Sequence, residues 1–174
     1  MSIVKIVYGG FFIALGVVLP IGFHVLQLGG SIFLPMHLPV LLAGFILGCR
    51  YGMLVGVLTP LLSHLLTGMP PLSPPVLPVM LPELACYGFT AGILYHNGRN
   101  MYIALIGAML AGRTAAGAAV YLATLFLGFH VPVWAYLSGG ILQGIPGIVI
   151  QLFLIPILVK AWEKYKQKGV NYGS

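Results

Sequence analysis

The chain has 174 residues, 60% of them hydrophobic and 6% charged, with a net charge of +6. A soluble domain carries roughly a quarter charged residues, so this composition, with a mean hydropathy of +1.06, indicates an all-α integral membrane protein. It leaves no room for a separate soluble module: residues 1–174 read as one domain. The basic residues are not gathered on a soluble face, which excludes a nucleic-acid partner.

A crossing needs about 20 apolar residues, fewer where helices are short or kinked. The first predicted span, Ile3–His24, starts directly after the N-terminus and lacks a small-residue cleavage site, so a retained helix is expected rather than a signal peptide. The second and third, Leu34–Cys49 and Tyr51–Leu66, are short and meet at Arg50-Tyr-Gly, which reads as a tight turn. The fourth to sixth are Val76–Tyr95, Met101–Gly128 and Val133–Trp162. A single bent span over 34–66 would instead give five crossings.

Loop charge separates these counts. With six transmembrane helices and both termini cytoplasmic, Lys5, Arg50, Arg99, Lys160, Lys164, Lys166 and Lys168 share the cytoplasmic side. The opposite loops, near 25–33, 67–76 and 129–133, hold no Lys or Arg. Six crossings is the expectation.

The outer segments combine bend residues with apolar bulk. Thr67–Pro82 holds six of the thirteen prolines. Proline fixes φ and biases the preceding residue to extended geometry, so a stiff, shaped cap is expected there. Gln27–His37 has the same mixture. Either these segments form a lid or they lie on the bilayer interface.

Small residues recur at four-residue spacing: Gly10/Ala14, Gly44/Gly48, Gly52/Gly56, Gly88/Gly92, Ala104/Ala108/Gly112/Ala116 and Gly140/Gly144. The spacing lets backbones approach closely where lipid provides no hydrophobic drive. Gly10/Ala14, near the cytoplasmic end of the first span, is placed to receive a partner helix. Cys49 and Cys86 lack metal-type spacing and read as buried small hydrophobes.

Against this background two charges stand inside spans, Glu83 and Arg113. Each costs about 3 kcal/mol at the bilayer centre even on lenient insertion scales. Depth at about 1.5 Å per residue puts both in the outer half, with His37, Ser63, His64, Thr67 and Gln143 nearby and Gln151 deeper. Tyr87 follows Glu83 by one turn. Rare polar groups beneath two capping segments are the layout of a small-molecule pocket. Glu83 and Arg113 could equally form a structural ion pair, and the glutamines could simply bridge helices. Of the five histidines, His24, His37, His64 and His130 fall near the outer face, but no i, i+4 pair or Cys/carboxylate pattern joins them, so no metal site is expected. No nucleophile elbow, phosphate loop or His-Glu-x-x-His motif is present. Neither an enzyme nor a resident cofactor is expected.

Several segments carry a family likeness: Phe33-Leu-Pro-Met-His-Leu-Pro-Val-Leu-Leu-Ala-Gly-Phe-Ile-Leu-Gly48, Gly52-x-x-x-Gly-x-Leu-Thr-Pro-Leu-Leu-Ser63, Leu66-Thr-Gly-Met-Pro-Pro71, Pro82-Glu-Leu-Ala-x-Tyr-Gly88 and Ala108-Met-Leu-Ala-Gly-Arg113. Together they resemble the substrate-binding S components of energy-coupling-factor (ECF) vitamin transporters, over essentially the whole chain. The resemblance implies a vitamin-binding subunit of a bacterial importer, with an outward pocket closed by the segments after spans one and three. It also implies a transmembrane coupling subunit and two cytoplasmic ATPases as partners, with toppling in the membrane delivering substrate. The family's alanine-x-x-x-alanine docking face appears here as Gly10-x-x-x-Ala14. Nickel and cobalt members begin with a Met-His segment, whereas this chain begins Met-Ser-Ile, so a metal substrate is not expected. Two alternatives stay open: a ligand-free membrane scaffold, and a proton-coupled carrier using Glu83.

Overall fold

The structure is a computed structural model that describes residues 3–26, 30–72, 75–127 and 132–171. All of its described regular elements are helices: α1 (Ile3–Val25), α2 (Gly30–Phe33), α3 (His37–Leu47), α4 (Cys49–Thr67), α5 (Val76–His96), α6 (Met101–Leu127) and α7 (Val133–Asn171). Five of these are long and apolar enough to cross a membrane, and α3, with 11 residues, is a shorter apolar helix. Eleven residues rise only about 16 Å, roughly half the hydrocarbon thickness.

The break between α3 and α4 falls at Gly48, not at the expected Arg50-Tyr-Gly turn. Gly48 has φ 97°, a left-handed conformation that costs glycine nothing, and Arg50 already lies in the first turn of α4. The second span likewise begins at His37 rather than Leu34. Leu34 itself has φ 48°, a rare conformation for a side chain that branches, and it turns the backbone from α2 into α3. The expected proline-rich cap is shorter than the sequence suggested. Pro78 sits in the first turn of α5 and Pro82 inside it. A proline in a first helical turn gives up an N–H that would be unpaired anyway.

Successive long helices run antiparallel, and three contacts gather the same end of the bundle. Lys5 Nζ reaches the Leu47 carbonyl at 3.4 Å. Tyr8 and Trp162 pack edge to face at 4.9 Å, and the Tyr95 hydroxyl donates to Glu163 Oε1. The start of α1, the α3–α4 break and the last turns of α7 therefore lie together. This basic end also carries Arg50, Arg99, Lys160, Lys164 and Lys166. The other end, the proline-rich end, carries the α4–α5 segment and the starts of α3, α5 and α7.

The core is the junction of α3, α4, α5 and α6. Val40, Leu41, Phe45, Leu84, Tyr87, Leu105 and Ile155 are buried in one cluster. Within it α4 and α5 meet backbone to backbone. A Cβ placed on Gly88 would collide with the Gly52 carbonyl, and one on Gly52 with that of Gly88. The Ala104/Ala108/Gly112/Ala116 ridge is buried throughout, as the four-residue spacing predicts. Cys49 and Cys86 are only half-buried, because Cys49 starts a helix and Cys86 lies beside the buried Tyr87 face instead of on it.

Candidate site at the proline-rich end

Three helices each supply one polar side chain to a single point. Glu83 stands in the second turn of α5 and is buried at 3% exposure. Arg113 comes from the middle of α6, and its Nη1 lies 3.0 Å from Glu83 Oε1. His37, the first residue of α3, places Nε2 3.7 Å from the same oxygen. The 3.0 Å approach is a charge contact whose angle lies off the hydrogen-bond axis, so Oε1 has no aligned donor. At 3.7 Å the imidazole touches the carboxylate without bonding to it.

The sequence around each residue explains the convergence. Tyr87 follows Glu83 by one turn and is fully buried, with its ring edge-to-face against His37 at 5.1 Å and 88°. Its ring lies where a side chain on Gly112 would stand. Gly112 thus admits Tyr87 while the next residue, Arg113, extends toward α7. There Gly140 and Gly144 leave space: a Cβ on Gly140 would lie 3.2 Å from Arg113 Nη1, and one on Gly144 3.8 Å from Nη2. Gly140 makes room for the guanidinium, and Gly144 serves both it and the packing of Leu34. Leu34 closes the same notch, its side chain 2.9 Å from the Cβ position of Gly144.

The other expected site residues go elsewhere. Gln143 is exposed on α7 and stands apart from the cluster, because the face that meets Arg113 is set by Gly140 and Gly144. His64 is half-buried and directs Nδ1 to the Pro70 carbonyl at 2.8 Å, tying the segment after α4 to its own helix. Thr67 bonds the Ser63 carbonyl at 2.7 Å. Gln151 is buried, yet it lies seven residues beyond Gly144, about 10 Å toward the basic end. His24 is exposed, and His130 lies outside the described residues. Tyr136, not singled out in the sequence, packs against Val79, Ala116 and Val120, beside the cluster's helices α5 and α6. Its position one turn before Gly140 was the available signal.

A cleft of about 450 Å³ opens at the basic end, far from this cluster. Phe45, Tyr95 and Trp162 line it, with His96, Arg99 and Lys166 among its polar groups. Its cations are exposed and His96 is engaged with the Phe45 carbonyl at 3.1 Å. The chemistry that is costly to bury is at the other end.

A family model for the ECF transporter, substrate-specific component, matches residues 4–159. The chain belongs to that family. It is therefore a multi-pass membrane protein that serves as a substrate-specific component of ECF transporters. No curated protein and no solved structure matches the chain. The family match covers every helix that builds the Glu83–Arg113 cluster, and ends within α7 before Lys160.

Proposed function

We propose that this ECF substrate-specific component captures a water-soluble vitamin or vitamin precursor through the Glu83–Arg113 cluster. The observation that carries the reading is that Glu83, Arg113 and His37 converge from three helices within 3.7 Å at the proline-rich end. In hydrocarbon such groups are costly, and a site facing a polar ligand is the usual reason to keep them. Arg113 fixes an acceptor, Glu83 accepts from a donor, and His37 with Tyr87 forms the aromatic wall. Tyr136 joins them from α7.

The chain acts as one six-crossing domain with α2 and α3 making the short second crossing. Both termini lie in the cytoplasm, since the basic end holds the loop Lys and Arg residues. The proline-rich end then faces outward, at the surface of a bacterial cell. A coupling membrane subunit and two ATPases drive uptake. Gly10 and Ala14 form the docking notch for the coupling subunit: both are exposed, and a Cβ on Gly10 would meet nothing within 4 Å. The close Glu83–Arg113 contact favours a fixed recognition pair over a carboxylate that loads and releases protons.

Equilibrium binding of radiolabelled water-soluble vitamins to the purified chain tests this function. One of them should bind in the micromolar range or tighter, with uptake in vesicles only when the coupling subunit and ATPases are present. Failure of every vitamin to bind, or uptake by the chain alone, overturns it.

A further inference from the structure

Seven buried side-chain nitrogen and oxygen atoms among the described residues have no hydrogen-bond partner, and five of them belong to this one cluster. They are Nδ1 and Nε2 of His37, Oε1 of Glu83, and Nε and Nη2 of Arg113. The pattern on Arg113 is directional. Glu83 approaches Nη1, while Nε and Nη2, the side-on edge of the guanidinium, have no hydrogen-bond partner among the described residues. That edge holds two parallel N–H donors and matches a planar pair of acceptors. Glu83 Oε1, lacking an aligned donor, keeps the capacity to accept one.

Charge adds a second constraint. The charges of Glu83 and Arg113 cancel. Among the described residues the other charged side chains, Lys5, Arg50, Arg99, Glu163 and the lysines of α7, lie toward the basic end. A ligand that enters with a net charge leaves that charge buried without a counterion, the costly outcome in a low-dielectric site. A net-neutral ligand satisfies the orphaned atoms and keeps the sum at zero.

We propose that the cluster selects a net-neutral polar ligand that lays an acceptor pair along the Nε–Nη2 edge of Arg113 and points an N–H donor at Glu83. The inference rests on the cluster being the ligand site, as argued above. Two ligand chemistries share this description. One is a zwitterion, with a carboxylate, or a phenolate and its neighbouring hydroxyl, on Arg113 and a protonated nitrogen on Glu83. The other is an uncharged heteroaromatic ring amide, which carries two adjacent acceptors beside an N–H on one edge. The perpendicular rings of His37 and Tyr87 provide a wall against which a flat ring packs.

Equilibrium dialysis of the purified full-length chain at pH 7 tests the selection, with retained compounds read by mass spectrometry. The probes are pyridoxine and β-alanine as zwitterions, and cytosine and pterin as neutral ring amides. Nicotinate and pantothenate serve as monoanions and thiamine as a cation. At least one zwitterion or ring amide should be retained tenfold or more over every charged probe, and which of the two classes it is distinguishes the sources. That retention should fall at least tenfold in Glu83→Gln and in Arg113→Lys, which keeps the charge but lacks the paired edge. Equal retention in Arg113→Lys overturns the paired-edge geometry. Preferential retention of nicotinate, pantothenate or thiamine, lost in these variants, overturns the neutral-ligand inference and leaves the transport function standing. Retention of no probe overturns the neutral-ligand inference, and failure of every radiolabelled vitamin in the binding test above overturns the transport function with it.

Discussion

At the proline-rich end a buried carboxylate meets a mostly buried guanidinium at 3.0 Å, whereas at the basic end Glu163 meets Tyr95 at an exposed surface. The two ends use the same residue types under different solvents. Around Glu83 the loss of one partner leaves a charge with nowhere to go. Around Glu163 water replaces whatever is removed. The contrast teaches that the basic end tolerates exchange of its partners for water, while the proline-rich end must be built around specific partners. It also explains why the open cleft at the basic end carries less information than a packed cluster with orphaned atoms.

The largest test of this contrast is Arg113→Ala. It should destabilise the protein by about 3–5 kcal/mol, because a buried charge loses its partner; reversible SDS unfolding in mixed micelles measures it. The double variant Glu83→Gln/Arg113→Met should cost clearly less than the sum of the single changes, as expected for groups in contact. Next comes Gly88→Ala, which drives a methyl into the Gly52 carbonyl of α4. Overpacking of that kind costs about 1–3 kcal/mol, read by the same unfolding curve.

Gly112→Ala separates site from fold. The added methyl meets the Tyr87 ring, whose shift would carry it away from His37. Ligand affinity should fall about tenfold, or ~1.4 kcal/mol, by equilibrium dialysis. At the basic end Tyr95→Phe removes one exposed hydrogen bond and should cost no more than about 0.5–1.5 kcal/mol. Gly10→Leu should change the stability of the isolated chain by less than about 0.5 kcal/mol, yet reduce co-purification with the coupling subunit. Comparable losses at both ends would erase the distinction between them.

What the sequence revealed follows the same divide. Glu83 and Arg113 were legible because charge is so rare in this chain that two intramembrane charges have to be explained. The Ala104–Ala116 ridge was legible because a four-residue period maps directly onto a helix face. Local signals failed where tertiary contact decides. Arg50-Tyr-Gly looked like a turn, but Gly48 is the residue whose φ allows the break, and nothing local ranks one glycine above the other. Pro78 and Pro82 suggested a loop, yet a first helical turn accepts proline, and Pro82 is held in a helix packed on both sides. Gln143 looked like a ligand residue by depth alone. Its direction depends on which face of α7 meets Arg113, and that is set by the absence of side chains at Gly140 and Gly144. Tyr136 was missed for the same reason.

The central claim is that the Glu83–Arg113 cluster holds the transported molecule. Native mass spectrometry of the protein released from membranes tests it most directly, comparing the unaltered chain with Glu83→Gln/Arg113→Gln at matched thermal stability. The account predicts a small-molecule adduct on the unaltered chain and none on the variant. The same adduct at the same occupancy on both would contradict it.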